Sequence, residues 1–372
     1  MPARAVTVGR HFTVDGACFV GYFLRITRYH QWNPLHPVTH GVIFLKERVL
    51  LTGITGYIGQ HCAAELLRQG FEVVGTIRSR SKADVTTAAL AKVTSTDHLT
   101  FAEADLLSDS GWNEAMKGCT FVMHVASPFA IAEPKDENEL IAPAVEGTKR
   151  VIAEAQRVAV KRLVLTSSIV AVTAGKETGK YGPDSWSDVN AKIGSYSKSK
   201  TLAERAAWKA AEGGTMELFV INPGAVFGPS LGANLEAQSV AMMTDMIAGK
   251  VPMIPDVAMG MIDVRDVARL HVKALTAPGV AGKRFIAASA VPVEMASMAS
   301  VLKSAGYSKV PSRRAPSFLL RFMGLFDREA RGMAPFLGKK ASYDNRATFE
   351  LLDWKPTPIE VSFKEMAQEL SA

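Results

Sequence analysis

A tyrosine and a lysine four residues apart are the first residues in this sequence whose spacing suggests chemistry. Tyr196 and Lys200 fall in the amphipathic segment 195–211. On a helix this spacing puts both side chains on one face, about 6 Å apart along the axis. A nearby ammonium favours the phenolate and lowers the pKa of the phenol, so the pair predicts an acid–base group. Lys198 falls off this face, and we interpret it as a solvated or secondary residue.

Hydroxyl groups precede this helix, at the end of a short apolar pattern. Residues 162–166 predict a buried strand, and Thr166, Ser167 and Ser168 stand at its carboxyl end. Doubly wound folds bind ligands at this end of their strands. A buried hydroxyl there needs a partner, and a substrate carbonyl oxygen would be one. A serine that caps a turn is the alternative for Ser167 or Ser168.

A glycine-rich turn would position a ligand for this chemistry. Residues 49–51 predict a buried strand, a helix pattern follows the turn, and residues 71–77 predict a second strand. In such a βαβ unit one glycine makes the turn, one admits a pyrophosphate and one lets the helix lie close to the strand. We therefore predict a dinucleotide site rather than a mere glycine-rich turn. Its predicted contacts are Gly53, Thr55, Gly56, Tyr57, Ile58 and Gly59.

The end of the second strand indicates which dinucleotide is bound. An NAD site usually has an acid there, which holds the ribose hydroxyls. This chain has three cations instead, Arg78, Arg80 and Lys82. Arg78 could pair with a 2′-phosphate in bidentate fashion, whereas a carboxylate would repel it. We predict NADPH or NADP+, bound first by Arg78 and assisted by Lys82 or Arg80, although one of the three could be a solvated loop charge.

Asp105 and Leu106 follow the third predicted strand, residues 99–102. The carboxylate could accept from the amino group of an adenine while the leucine packs on its face. An aspartate that caps the next turn is the alternative.

The order of elements after Arg48 predicts the fold class. Strands predicted at 121–125 and 218–222 and a long helix at 138–157 extend the alternation of strand and helix. This alternation is typical of an α/β, Rossmann-type doubly wound parallel sheet, with the first and fourth strands side by side at the switch point. After Pro223 methionine and proline become frequent and the alternation weakens. We predict an NADP-binding domain at 47–225 and a smaller C-terminal substrate lobe at 226–372, with segments near 262–290 returning to the first domain.

Residues 1–46 do not fit this pattern. They are rich in arginine, poor in acids and hold four of the eight histidines. We favour an extension that is disordered or outside the fold over an organelle transit segment, because aromatic residues are many and serine is scarce.

Composition excludes several classes of protein. The 372 residues are 48% hydrophobic and 21% charged, which is ordinary for a soluble enzyme. No apolar run approaches the roughly 20 residues that span a bilayer, and the net charge of +7 forms no basic stripe with interleaved aromatics. Cys18, Cys62 and Cys119 are too scattered for a disulfide framework or a metal site. We therefore expect no metal, no membrane and no nucleic acid, and a reducing, cytoplasmic location.

From Arg48 onward the chain resembles the extended short-chain dehydrogenases/reductases, in the branch of the dihydroflavonol 4-reductases, cinnamoyl-CoA reductases and microbial carbonyl reductases. The matching segments are LLTGITGYIGQH, TIRSRSK, AEADLLSDSGWNEAMKGCTFVMHVASP, PAVEGTKRVIAEA, RLVLTSSIVAV, YSKSKTLAERAAW, INPGAVFGP and MIDVRDVARLHVKAL. They are collinear and cover most of the chain after position 48.

The resemblance implies a role for each matching residue. Ser168 would hold the substrate oxygen, Tyr196 would donate the proton, and Lys200 would tune the tyrosine and bind the nicotinamide ribose. The remaining implied cofactor contacts are Val125, Ala126, Ser127, Thr166, and residues 223–226 including Pro223 and Val226. The implied reaction transfers hydride from the nicotinamide to a carbonyl carbon.

Two departures from the plant enzymes limit the substrate prediction. Thr173 stands where dihydroflavonol reductases carry an asparagine, and the run KIGSYSK replaces the NWYCY signature of cinnamoyl-CoA reductases. We therefore expect a general NADPH-dependent aldehyde or ketone reductase that acts on a small carbonyl substrate as a monomer or homodimer. The alternatives are an NAD-dependent nucleotide-sugar epimerase or dehydratase and a non-catalytic NADPH-binding regulator. The cations after the second strand disfavour the first, and the complete Ser168, Tyr196 and Lys200 set disfavours the second.

Overall fold

The computed structural model describes residues 47–128, 132–232 and 237–371, together with the backbone of two short strands, Thr13–Val14 and Ala17–Cys18. These two strands pair antiparallel within the compact unit Met1–Leu45, and the second unit is Lys46–Ala372. The rest of segment 1–46, for which we expect an extension, lies outside the described residues.

The described part of the second unit is built on a parallel sheet of seven strands. In chain order they are β1 (Arg48–Thr52), β2 (Glu72–Ile77), β3 (Leu99–Glu103), β4 (Phe121–His124), β5 (Arg162–Thr166), β6 (Glu217–Pro223) and β7 (Arg284–Ala287). Their spatial order is β7-β6-β5-β4-β1-β2-β3, so β1 and β4 are neighbours at the switch point. Central strands such as β4 are buried along their whole length, which explains their continuous apolar sequence. The predicted doubly wound fold is confirmed.

Helices cover both faces of the sheet. Those in the described ranges are α1 (Tyr57–Arg68), α2 (Ala83–Ala91), α3 (Trp112–Met116), α4 (Asn138–Arg157), α5 (Val170–Thr173), α6 (Ser195–Ala211), α7 (Gln238–Ile247), α8 (Val264–Thr276), α9 (Met295–Ser304), α10 (Ser317–Met323), α11 (Arg328–Met333), α12 (Arg346–Leu352) and α13 (Ile359–Leu370). Helices α1 and α8 pack on one face, and α3, α4 and α6 pack on the other. Within the described ranges, no helix is both long enough and apolar enough to cross a bilayer.

The chain after β6 contributes both to the sheet and to a second hydrophobic core. Strand β7 extends the sheet beside β6, while α7, α9 and α13 surround a separate core rich in methionine, including Met243, Met246 and Met298. Ala225–Phe227 pairs in parallel with Met261–Asp263. Ala341–Tyr343 pairs in parallel with Gly179–Tyr181, a segment that lies between β5 and α6 in the sequence. The last third of the chain therefore closes around residues that precede α6.

Candidate active site

The glycine turn between β1 and α1 leaves no room for side chains. Gly53 has φ +73°, and a Cβ atom there would lie 2.9 Å from the Ala126 backbone. A Cβ atom on Gly59 would lie 2.0 Å from the Gly53 carbonyl oxygen. Helix α1 begins at Tyr57, after Gly56, and no side chain in the described part of the chain caps it. The turn thus forms a backbone cradle at a positive helix end, which fits a pyrophosphate.

The side chains of this turn differ in their exposure. Thr55 and Ile58 are partly buried, whereas the Tyr57 ring is buried and its hydroxyl donates to the Gly228 carbonyl at 2.6 Å. The Tyr57 side chain therefore anchors the turn to residue 228, and only its backbone lies in the cradle.

The predicted phosphate ligands lie at the end of β2. Arg78 and Lys82 are exposed, and within the described ranges no carboxylate lies in ion-pair distance of either. Arg80 instead pairs with Glu103 at 3.3 Å. Two cations without a carboxylate partner in the described ranges therefore face solvent beyond β2, an arrangement that fits a 2′-phosphate.

Asp105 and Leu106 serve the local turn after β3. Asp105 Oδ1 accepts from the Leu107 amide at 2.9 Å, as the turn-capping alternative requires. Leu106 packs against Gly147 of α4, and its carbonyl accepts from Arg150. Both residues are partly buried beside the sheet edge.

The end of β4 is joined to the end of β1 by a buried hydrogen-bond chain. Thr52 Oγ1 lies 2.7 Å from His124 Nδ1 and accepts from the Ala126 amide at 3.0 Å. Val125, Ala126 and Ser127 follow, partly buried, above the glycine turn. Burial, together with the nearby Lys200 ammonium, lowers the pKa of His124 to about 3, so this imidazole is neutral at pH 7. His124 Nε2 is buried and has no hydrogen-bond partner among the described residues.

Ser168, Tyr196 and Lys200 come together at the carboxyl end of β5. The Ser168 hydroxyl is hydrogen-bonded to the Tyr196 phenol, and Lys200 lies one turn further along α6. Lys200 is 8% exposed. Burial lowers the pKa of Lys200 to about 8, although the Glu204 carboxylate raises it.

The Tyr196 pKa shifts in the direction opposite to our prediction. Burial raises it to about 12, and the hydrogen bond with Ser168 lowers it only partly. Burial disfavours the phenolate more strongly than the neighbouring groups favour it. Tyr196 is therefore protonated at neutral pH and suited to donate a proton.

The other two hydroxyl groups at the end of β5, those of Thr166 and Ser167, bind partners other than Tyr196. Ser167 donates to Glu204 Oε2 at 2.6 Å, and Thr166 Oγ1 lies 2.7 Å from Nε2 of His271 on α8. Since His271 Nδ1 lies 2.8 Å from the Val267 carbonyl, which can only accept, Nε2 accepts from Thr166. Ser168 is thus the hydroxyl that meets Tyr196.

Pro223 and Val226 line the next strand end. The Pro223 carbonyl accepts from the Ile169 amide at 2.9 Å, which fixes β6 beside the serine turn. Val226 is partly buried and pairs with Ile262. Thr173, which stands where dihydroflavonol reductases carry an asparagine, is hydrogen-bonded to Tyr343. The C-terminal segment therefore fixes this side chain.

Sequence reasoning missed several residues of this region: Thr52, His124, Trp186, Glu204, Asn222, His271 and Arg284. Glu204 had a signal, because it repeats the four-residue spacing of Tyr196 and Lys200. Its ion pair with Arg284, 80 residues away, had none.

Fold and site together define a nucleotide-binding α/β enzyme of the Rossmann type. The model of the NAD dependent epimerase/dehydratase family matches residues 49–288, and the chain belongs to this family. The predicted resemblance to extended short-chain dehydrogenases/reductases is confirmed.

Similar proteins include plant and yeast reductases. Cinnamoyl-CoA reductase 1 of Arabidopsis thaliana is 34% identical over 250 residues, 65% of this chain and 70% of that protein. The bifunctional dihydroflavonol 4-reductase/flavanone 4-reductase of Malus domestica is 34% identical over 194 residues, 50% of this chain and 56% of that protein. The solved structure of yeast methylglyoxal/isovaleraldehyde reductase Gre2, complexed with NADPH, has a TM-score of 0.71 at 24% identity and covers 87% of this chain and 98% of that one.

Proposed function

We propose that this protein is an NADPH-dependent reductase of small aldehydes or ketones, with Tyr196 as the proton donor. The observation that carries the proposal is the hydrogen bond between Ser168 and Tyr196, with the buried Lys200 one turn away. The reductase names of the similar proteins support the same class.

The cofactor proposal rests on the glycine turn and on the charges after β2. The turn would hold the pyrophosphate, and Arg78 with Lys82 would hold the 2′-phosphate, since no carboxylate in the described part of the chain pairs with either cation. Asp105, whose Oδ1 accepts from the Leu107 amide, would contact the adenine through its other carboxylate oxygen, and Leu106 would pack beside it. Val125, Ala126, Ser127, Thr166, Pro223 and Val226 would lie along the rest of the cofactor. NADPH, when bound, supplies the hydride.

The catalytic residues would act on the carbonyl oxygen. Tyr196, protonated because burial raises its pKa to about 12, would donate its proton as negative charge develops on that oxygen. Ser168 would donate a second hydrogen bond to the same oxygen, and this bond would strengthen in the transition state. The Lys200 ammonium would orient the nicotinamide ribose and favour the phenolate left after proton transfer.

We also propose that residues 226–372 mainly form the substrate lobe, while 47–225 and segments near 262–290 form the NADP-binding domain. Parallel pairing of β7 with β6 supports the return of the chain to the sheet. The buried, free thiols of Cys62 and Cys119 are compatible with the cytoplasmic location proposed from the sequence.

An NADPH-oxidation screen against aldehydes, ketones and α-dicarbonyls tests the proposal. We expect turnover by the parent, and a loss of at least about 100-fold in Tyr196→Phe with NADPH binding retained, because general acid catalysis contributes 10²–10⁴-fold. Equal turnover by Tyr196→Phe would refute the proton-donor role. Tightly bound NAD and conversion of a sugar nucleotide without net cofactor consumption would favour the epimerase alternative.

A further inference from the structure

A buried ion pair on the catalytic helix takes no part in the chemistry proposed above. Glu204 lies one turn beyond Lys200 in α6, and its side chain is fully buried. Its carboxylate accepts from Ser167 Oγ at 2.6 Å, from Asn222 Nδ2 at 2.8 Å and from Arg284 Nε at 2.5 Å. One side chain therefore joins α6 to the ends of β5 and β6 and to the start of β7.

The partner of this carboxylate also fixes the segment that leads into α6. Arg284 pairs in register with Val220 of β6, which pairs with Leu165, so it is level with the end of β5. Its guanidinium lies 3.9 Å from the centroid of the Trp186 ring and donates to the carbonyls of residues 183 and 185, both at 2.6 Å. The helix and its preceding segment are thus held by one charged centre.

We propose that Glu204 is a positioning residue for Tyr196 and Lys200: it holds α6 against the strand ends and keeps a negative charge one turn from the Lys200 ammonium. The proposal deepens the proposed function and rests on it. The four-residue repeat places Tyr196, Lys200 and Glu204 along one face of α6, so a displacement of Glu204 would move the proton donor relative to Ser168.

The charges around Lys200 make this role measurable. Three described titratable groups face it: Tyr196 and Glu204 on α6, and the neutral His124 of β4. Arg284 of β7 faces Glu204 from the other side. The packed faces of α4 and α5 contribute no ionisable side chain among their described buried residues, which are Leu140, Ala144, Gly147, Thr148, Val151, Ile152, Ala155, Ala171 and Val172. Glu204 is therefore the anion that opposes the effect of burial on the pKa of Lys200, which is about 8.

The test is the pH dependence of Glu204→Gln. Loss of the carboxylate would lower the Lys200 pKa further, so the falling limb of kcat at high pH should move down by about one unit. At pH 7.5 this shift alone would lower kcat about threefold, and displacement of the proton donor should bring the total fall to at least tenfold. NADPH binding, followed by NADPH fluorescence, should also weaken at a lower pH than in the parent. The reason is that the Lys200 ammonium would contact the nicotinamide ribose. Unchanged kcat and unchanged pH limbs would overturn the proposal.

Arg162→Met is the matched control. Arg162 pairs with Glu217, donates to three carbonyls near the end of α8 and lies 4.6 Å from the centroid of the Phe219 ring, but at the amino ends of β5 and β6. We expect Arg162→Met to lower thermal stability as Glu204→Gln does. Its kcat should stay within twofold of the parent, and the pH dependence of kcat and of NADPH binding should not change. Shifted limbs in Arg162→Met would show a general structural effect and overturn the positioning role.

If Glu204→Gln does not fold, Glu204→Asp tests the positioning role of Glu204 instead. The shorter side chain keeps the charge but not its reach, so the pH limbs should stay and kcat should fall several-fold. Parent-like kcat in Glu204→Asp would overturn the proposal. If the parent itself reduces no carbonyl compound, the proposed function fails, and the NADPH-binding limb in Glu204→Gln still tests the link between Glu204 and Lys200.

Discussion

Replacing the buried lysine should stabilise the protein while abolishing its activity. Burial holds the Lys200 pKa near 8, against 10.5 for an ordinary lysine. At 1.36 kcal/mol per pKa unit, keeping this ammonium protonated in the folded state costs about 3 kcal/mol at pH 7. Lys200→Met removes the charge and keeps an unbranched apolar side chain. We expect its free energy of unfolding at pH 7 to exceed that of the parent by about 3 kcal/mol.

Urea denaturation followed by circular dichroism at pH 7 and pH 10 measures this difference. The folded-state pKa of Lys200 lies below its unfolded value, so between pH 8 and 10.5 the unfolded chain binds more protons. The parent therefore gains stability relative to Lys200→Met as the pH rises, and the gap should close towards pH 10.5. A gap that is absent at pH 7, or constant to pH 10, would refute the reasoning.

Lys198→Met is the control on the same helix. Lys198 is partly exposed and pairs with Glu137 at 2.7 Å, near the surface. Its replacement should change the free energy of unfolding at pH 7 by no more than about 1 kcal/mol.

Two further predictions concern the cofactor. Arg78→Ala should raise KM for NADPH at least tenfold and leave KM for NADH within twofold in steady-state assays, whereas Arg80→Ala, which removes the partner of Glu103, should change neither greatly. Equal effects of Arg78→Ala on both cofactors would exclude Arg78 as the phosphate ligand. Gly59→Ala should lose about 3 kcal/mol of stability and weaken NADPH binding in titrations, because its Cβ atom would lie 2.0 Å from a carbonyl oxygen. Gly182→Ala, whose Cβ atom would meet nothing nearer than 3.6 Å, should keep both properties, and equal losses in the two variants would contradict the crowded-cradle argument.

The sequence predicted the elements whose signal is local. Helix α4 and strand β5 begin and end where the amphipathic and apolar patterns place them. Strand β7 was not predicted as a strand, because it lies where the alternation of strand and helix weakens and pairs with residues 220–223, far earlier in the chain. Pairing over such a distance leaves no periodic signal in the short segment itself.

Features of the candidate site could likewise be predicted where their signal is local and could not where they depend on distant residues. The spacing of Tyr196 and Lys200 on one helix is local, and their position beside Ser168 follows from the resemblance. The sign of the Tyr196 pKa shift is not local, since it depends on which elements bury the phenol. The contacts between Thr166 and His271 and between Glu204 and Arg284 join distant segments, so only the folded chain reveals them.

The parallel pairing of residues 341–343 with 179–181 has a consequence for biosynthesis. Ser342 donates to the Gly179 carbonyl at 3.1 Å, across 163 positions of sequence. A ribosome releases residues 179–181 well before their partner strand exists, at about 5–20 residues per second. The part of the nascent chain that is already synthesised can therefore collapse early. Residues 179–181 stay unpaired for many seconds, until residues 341–343 are synthesised late in translation.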